Sequence, residues 1–562
     1  MPIGLLHGYL LEGSGSNLWT RAIAQALCRQ GVDLELVCQE PHPEDHDFIA
    51  ELIRYPADGE PELVYCRDTP YAGRCVMHRP LLGDLLPVYV PDRYEEFSRV
   101  VPMVELPDAA IEDYLERNTR VVERVTRERK VTALHANHAV LMSVVARRVG
   151  QRLDVPFVVM PHGSAIEYAV KRDQRFLRYA TDAFRDAARV FVIGEEMRTR
   201  VSDVFAKHVP DLSDKFVDLN LGVDTSLFRL APREQRADEI DAMAASIADL
   251  PRGRTAAQQR LLRDRLVSWS EARDAHDARD AATASDALED FRAAIAPDVD
   301  YDLKSPDADV EERLSGIDWS RDPVVLFVGR LIANKGPQSL LAAAPDVLAE
   351  RPDALFLFVG HGPLREPLEA MAWALEHGDG RLLRRIADWG TALEDGPVES
   401  FDAVASWLDT LEREGRLDEY LEHARRHVSS RNVVFTGYLL HEQLRHLFAV
   451  ADVAVFPSLI REAGPLVFLE AMAAGCYPMG TDFGGMSASI DAVEAVLDGA
   501  AVAPMRLSPG ADVLVGDIAR QLPRALLEAP THRPALRELA VRRYDWTGVA
   551  KTFAETLERL AP

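Results

Sequence analysis

Glu462 and Glu470 lie eight residues apart, on either side of an expected helix start, in the segment FPSLIREAGPLVFLEAMAAGCYPMGTDFGG (residues 456–485). The apolar run Val453–Phe456 predicts a buried strand that ends at Pro457, with Glu462 in the loop behind it. A helix is expected to open at Gly464, Pro465 and Leu466 and to carry Glu470. Pro465 is placed in its first turn, where the missing N–H costs nothing. Unpaired amides and the positive dipole end at such a start seat an anionic group. Carboxylates repel phosphates, so the partners expected for Glu462 and Glu470 are sugar hydroxyls.

The cations that such a ligand needs stand upstream. Residues 324–329 are continuously apolar and β-branched up to Gly329, as in a strand covered on both faces. They run into Arg330-Leu331-Ile332-Ala333-Asn334-Lys335-Gly336 and then a helical stretch over 338–348. Strand, loop with two cations, then helix is how α/β proteins hold phosphate at the carboxyl ends of strands. Arg330 and Lys335 are therefore placed where a diphosphate arrives. A second buried strand, Leu355–Val359, is closed by Gly360-His361-Gly362-Pro363-Leu364, whose glycines allow close backbone approach to a nucleotide. A third strand and turn, 432–438, ends at Tyr438.

The elements of the first half follow the same plan. A short strand, Ile3–Leu6, precedes Gly13-Ser14-Gly15-Ser16-Asn17 and an amphipathic helix over 18–29, with Trp19, Ile23, Ala26 and Leu27 on its core face. That loop lacks a Walker lysine and the full G-x-G-x-x-G pattern, which disfavours ATPase and NAD chemistry. A strand over 155–160 leads to Pro161-His162-Gly163-Ser164, and His135-Ala136-Asn137-His138 ends the strand before it. Asn220-Leu221-Gly222-Val223-Asp224-Thr225 follows a further strand.

Taken in order, these segments resemble the Glu-x7-Glu family of retaining GT-B glycosyltransferases, group 1, which includes sucrose synthases and bacterial mannosyl- and glucosyltransferases. Residues 329–336 match its G-R-x5-K-G pattern with a spacer one residue shorter, and 220–225 resemble its N-G-V-D segment with Leu221 inserted. The resemblance implies an α/β GT-B fold, two Rossmann-like domains facing across a cleft, with helical insertions. It implies transfer of a hexose from a UDP- or GDP-linked sugar, the donor being a substrate and no cofactor or metal being required. Arg330, Lys335, Glu462 and His162 are implied as catalytic. Gly15, Ser16, Gly329, Gly360, Gly362, Tyr438, Gly464, Pro465, Leu466 and Glu470 are implied to bind the nucleotide sugar. Glu462 would hold sugar hydroxyls and Glu470 ribose hydroxyls, His162 would contact the sugar from the first domain, and the His135–His138 segment would shape the acceptor cleft. The alternatives are a catalytically silent nucleotide-sugar-binding protein and a GT-B sugar-nucleotide epimerase. A phosphorylase would need a late pyridoxal lysine, and Lys551, the only lysine after Lys335, lies on the terminal helix.

At 562 residues the chain exceeds one core. The expected domains are 1–230 (acceptor side), 231–320 (a charged helical insertion between domains), 321–540 (nucleotide-sugar side, with a helical insertion at about 370–430) and 541–562, a helix crossing back to the first domain. Residues 231–320 are expected to form a solvated helical excursion, with an acceptor-side lid or a dimer contact as the alternatives. Trp373, Trp389 and Trp407 in the second insertion must pack on the domain or on another subunit. The net charge of −26 repels nucleic acid and anionic lipid, so no nucleic-acid partner is expected and peripheral membrane contact is not favoured. The acceptor is expected to be a sugar, glycan or lipid-linked sugar, and a homo-oligomer stays open. No signal-like start or membrane span is legible. Five cysteines in so long a chain fit a reducing cytoplasm, and Cys66, Cys75 and His78 lack a standard zinc spacing. Abundant arginine and alanine point to a bacterial source.

Overall fold

The computed structural model describes residues 2–83, 85–89, 97–276, 284–299, 301–462 and 464–560. The chain divides into two units, Met1–Val223 with Arg542–Pro562, and Asp224–Val541. The strands of the first unit are β1 (Ile3–Leu6), β2 (Leu34–Val37), β3 (Ile49–Tyr55), β4 (Glu62–Cys66), β5 (Cys75–Pro80), β6 (Leu85–Val88), β7 (Arg99–Pro102), β8 (Ala133–Asn137), β9 (Phe157–Met160), β10 (Arg189–Val192) and β11 (Phe216–Asp218). Nine form one sheet in the order β11-β10-β9-β8-β1-β2-β5-β3-β4, while β6 and β7 pair separately. All pairs in the large sheet are parallel except the β3–β4 hairpin. Parallel strands are covered by helices on both faces, which is why β1, β8 and β9 are buried throughout.

The first helix spans Gly15–Arg29 and buries Trp19, Ile23, Ala26 and Leu27, the face legible in the sequence. It starts three residues before position 18, because the Ser14 side chain accepts from Asn17 N–H and caps it. Gly15 and Ser16 therefore sit in a helical turn rather than in a loop. The terminal helix Trp546–Glu558 packs on the same core through Val549, Phe553 and Leu557. Its Phe553 ring lies 4.9 Å from His135 and 5.4 Å from Phe191. Gly222 is required beneath it, since a Cβ there would overlap the Trp546 indole.

The second unit holds β12 (Val324–Val328), β13 (Leu355–Val359), β14 (Val433–Gly437), β15 (Val453–Phe456), β16 (Tyr477–Thr481) and β17 (Arg506–Leu507). They form one parallel sheet in the order β14-β13-β12-β15-β16-β17. Order reverses between β12 and β15, and α/β sheets bind ligands at such switch points.

The segment 231–320 falls inside this unit, and its described helices are packed rather than solvated. Helix Arg236–Ile247 buries Ile240, Met243 and Ile247 and lies against helix His441–Val450. Its Arg236 makes a buried two-pronged pair with Asp452, at 2.6 and 3.1 Å, and Asp452 also accepts from Val324 N–H at 2.9 Å. Helix Ala256–His276 lies against helix Arg365–His377. The two insertions also meet each other, since Trp389 packs 4.9 Å from Phe291 and 6.3 Å from Trp269. Trp373 stacks on His377 and Trp407 meets Tyr420 edge-on, so the three tryptophans pack within this unit. Among the described residues no helix is long and apolar enough to cross a membrane.

Candidate active site

In the second unit the carboxyl ends of β12, β13 and β15 gather the loops singled out in the sequence. Residues 330–336 are fixed by the neighbouring chain on three sides. Leu331 N–H donates to His361 O at 2.8 Å, and Leu459 N–H donates to Asn334 O at 2.8 Å. Ala333 N–H donates to Glu394 Oε2 at 3.0 Å. Gly336 has φ +74°, and a Cβ would overlap the Pro457 carbonyl, so only glycine lets the cation loop and the carboxylate loop lie this close. Gly360 and Gly362 have φ +144° and +153°, and Cβ atoms there would strike the carbonyls of Gly329 and Leu331. Their small size is thus already demanded by packing of one loop on the next.

This packing joins Lys335 Nζ to Glu462 Oε2 at 2.8 Å, with both side chains partly exposed. Glu462 O in turn accepts from Gly485 N–H at 2.7 Å, tying the carboxylate loop to the start of the next helix. Arg330 is exposed at the end of β12 and makes no ion pair among the described residues. The helix carrying Glu470 runs Leu466–Ala473, and Pro465 occupies its cap position rather than its first turn, with extended backbone (φ −83°, ψ 98°). Glu470 is 5% exposed. One of its carboxylate oxygens pairs with His441 Nε2 at 3.0 Å. The other, Oε2, is buried with no hydrogen-bond partner among the described residues. A buried acceptor left unpaired is costly, and a ligand hydroxyl would satisfy it.

Tyr438 lies at the end of β14, its ring 5.2 Å from His361. Its backbone N–H donates to Ser305 O at 3.1 Å, and Pro306 bridges to Gly437. Part of the backbone that the resemblance assigns to the nucleotide is therefore engaged by the first insertion. That segment also brings Lys304 and Asp302 into the field of His361. Burial first, then the charges of Arg330 and Lys304, hold His361 below the ordinary histidine range. The second insertion contributes Glu394, raised above the usual carboxylate range by burial, against the pull of the Ala333 amide and Arg330. Lys304 and Glu394 were not singled out from the sequence. Nothing marks Glu394 among 90 acidic residues, because only the packing of the insertion carries it to the cation loop.

In the first unit, His162 follows β9. Its Nε2 donates to Asn137 Oδ1 at 3.1 Å, and Asn137 Nδ2 donates to His7 Nδ1 at 3.2 Å. His7 Nε2 donates onward to Leu10 O at 2.9 Å. This chain of donors has one proton arrangement, with both histidines neutral and carrying the Nε2 proton. Burial pushes His162 down to about 3 and His7 down to about 4. His138 adopts φ +71°, packs 4.6 Å from His162, and leaves both ring nitrogens without partners among the described residues. His135 is fully buried between Trp19, Phe191 and Phe553. It belongs to the core and cannot line a cleft, a correction to the expectation for the His135–His138 segment.

Two units of parallel sheet, each ringed by helices, with a strand-end site of cations and carboxylates in the second, make the GT-B architecture. A Thermosynechococcus elongatus sucrose-phosphate synthase has this fold, with TM-score 0.52 and 16% identity over 100% of this chain and 98% of that one. An Anabaena protein solved with UDP and glucose shares it, with TM-score 0.51 and 14% identity over 100% of both chains. Three segments match sequence families: 14–210 the glycosyl transferase 4-like domain, and 314–381 and 412–508 two families of glycosyl transferases group 1. Fold and matched segments together support a GT-B glycosyltransferase family of group 1.

Individual relatives agree over shorter spans. A Mycolicibacterium smegmatis GDP-mannose-dependent alpha-(1-6)-phosphatidylinositol monomannoside mannosyltransferase is 29% identical over 36% of this chain and 40% of its own length. The Streptomyces fradiae 2-deoxystreptamine N-acetyl-D-glucosaminyltransferase is 26% identical over 47% of this chain and 48% of its own. The chain spans less than half the length of the curated relatives it matches.

Proposed function

We propose that the chain is a retaining, metal-independent glycosyltransferase that moves a hexose from a nucleoside diphosphate to an acceptor hydroxyl in the cytoplasm. The observation that carries this reading is the Lys335–Glu462 pair at 2.8 Å, in the loop that Arg330 opens and ahead of the helix that carries Glu470. A cation for phosphate and a carboxylate for hydroxyls, held in contact, match the two halves of a nucleotide sugar.

Breaking the anomeric C–O bond builds negative charge on the diphosphate and positive charge on the ring. Arg330 and Lys335 stabilise the leaving diphosphate, helped by helix-start amides, an electrostatic contribution that often dominates catalysis. Donor phosphate takes over part of the Lys335 charge now shared with Glu462, which leaves the Glu462 carboxylate to accept from sugar hydroxyls. Glu470 Oε2, unpaired and buried, accepts a ribose hydroxyl. His162, neutral at physiological pH, keeps the role that the family resemblance implies for it, contact with the transferred sugar. The departing phosphate takes the acceptor's proton on the same face of the ring. No enzyme nucleophile is required, so the paired carboxylates do not act as in a glycosidase.

The test is release of nucleoside diphosphate from UDP-glucose, UDP-N-acetylglucosamine and GDP-mannose by wild type and Glu462→Gln. Slow release from one donor, lost in the variant, supports the reading. Donor-specific thermal stabilisation without release, even with a broad set of acceptors, would leave a binding protein instead.

A further inference from the structure

A cavity lies within the second unit, where the first insertion closes over the edge of the sheet. Its volume is about 640 Å³, inside the usual 300–1,000 Å³ range of small-molecule sites. The walls are helix Ala256–His276, the segment 309–317, helix Arg365–His377 and the strand β14. None of the donor-side residues Arg330, Lys335, Glu462 or Glu470 lines it.

The charge of this cavity runs against that of the chain. Four guanidinium groups line it, from Arg260, Arg263, Arg313 and Arg431. The three lining carboxylates are already engaged. Asp309 pairs with Arg313 at 2.9 Å, and Glu376 pairs with Arg263. Arg313 also pairs with Asp307 at 2.8 Å and donates to Phe435 O, which leaves its Nε as the group still open. Glu369 pairs with Arg254 at 2.7 Å and Arg365 at 2.9 Å, from behind the wall. Burial opposes ionisation of Glu369, yet Arg254 and Arg365 together hold its carboxyl below the usual range. It therefore stays anionic and its charge is spent on them. Arg260 and Arg431 are exposed at the rim and make no ion pair among the described residues. Arg313 Nε is buried with no hydrogen-bond partner among the described residues. A local excess of positive charge thus survives in a chain of net charge −26. Gln259, Ser429 and Ser430 add uncharged polar groups, and Leu262, Ile317 and Phe435 belong to the apolar part of the wall.

We infer that this cavity binds a small organic anion, its phosphate or carboxylate group gripped by Arg260 and Arg431 with Arg313 Nε as a further donor, and its apolar body against Ile317 and Phe435. Guanidinium forks match either anion in two-pronged fashion, and the volume and apolar wall select an organic body over a bare ion. The site is independent of the glycosyl-transfer reading.

Calorimetry on the full chain with phenyl phosphate, benzoate and inorganic phosphate tests it. At least one aromatic anion should bind, more tightly than inorganic phosphate, and the preferred one identifies the anionic group. The double variant Arg260→Ala/Arg431→Ala, altered only at exposed positions, should weaken that binding about tenfold or more. Lys335→Ala should leave it unchanged. Absence of binding by both aromatic anions overturns the inference. So does binding equal to that of inorganic phosphate, or binding lost in Lys335→Ala but kept in the double variant.

Discussion

Lys335 illustrates how a single position is constrained from two directions. Its charge is expected to meet the diphosphate, and its Nζ now rests on Glu462 at 2.8 Å. Lys335→Ala should lower turnover by roughly 100-fold or more, by analogy with loss of other charge-stabilising groups. Near-normal steady-state turnover in that variant would sink the phosphate assignment. Glu470→Ala should act differently, raising the KM for donor more than it lowers kcat, because a ribose contact is shared by ground and transition states. His162 and His7 make a prediction in pH. Their folded values, about 3 and about 4, lie below the ordinary 6.5. The unfolded chain then binds more protons than the folded one between those limits. Stability is present above about pH 6.5 and is lost as pH falls toward 4. Denaturant midpoints of the first unit should fall over that window, and more shallowly in His162→Gln.

Among the elements, the insertions carry the unexpected part. Segment 231–320 has the alanine-rich, charged composition of a solvated helix pair, yet Ile240, Met243, Ile247, Leu262, Leu266 and Phe291 are buried. Its anchor is the Arg236–Asp452 pair, which sits beneath β12 and β15. Removing one partner strands a buried charge, so Asp452→Ala should cost about 3–5 kcal/mol, measurable by chemical denaturation of the second unit. A cost under 1 kcal/mol would mean that the pair is hydrated like a surface bridge. The second insertion reaches the cation loop through Glu394. If that contact orders residues 330–336, Glu394→Ala should reduce kcat while Glu394→Gln, which keeps an acceptor for Ala333 N–H, restores most of it.

On the scale of the molecule, each unit is built on one mainly parallel sheet with its own core, and the terminal helix belongs to the first unit's core through Val549, Phe553 and Leu557. A chain ending at residue 544 would uncover His135, Phe191 and Trp19, and its first unit should melt lower, while the second unit's melting is unchanged. A nucleotide donor should act in the opposite sense, raising the melting of the second unit as any ligand of the folded state does, by about 2.7 kcal/mol at a hundredfold excess over Kd.

The strands that lead into the site loops, and the order in which those loops follow, were legible from sequence alone, whereas β2–β7, β11, β16 and β17 were not. Continuous apolar runs such as Leu355–Val359 have only one place in an α/β sheet, and Arg330, Lys335, Glu462 and Glu470 stand at fixed distances along the chain from them. Helix limits at Gly15 and Leu466 were less legible, since caps depend on a particular side-chain bond or on backbone angles. Tertiary structure alone decided what lies far apart in sequence: the Lys335–Glu462 pair, Glu394 on the Ala333 amide, Ser305 on the Tyr438 amide, and Trp389 against Phe291. Local periodicity shows which face of a helix is buried but not which distant surface buries it. An amphipathic helix in a charged insertion therefore reads the same whether its apolar face meets its own domain or another chain. The physical difference is made by contacts 61 or more residues apart in the chain, which no local pattern encodes.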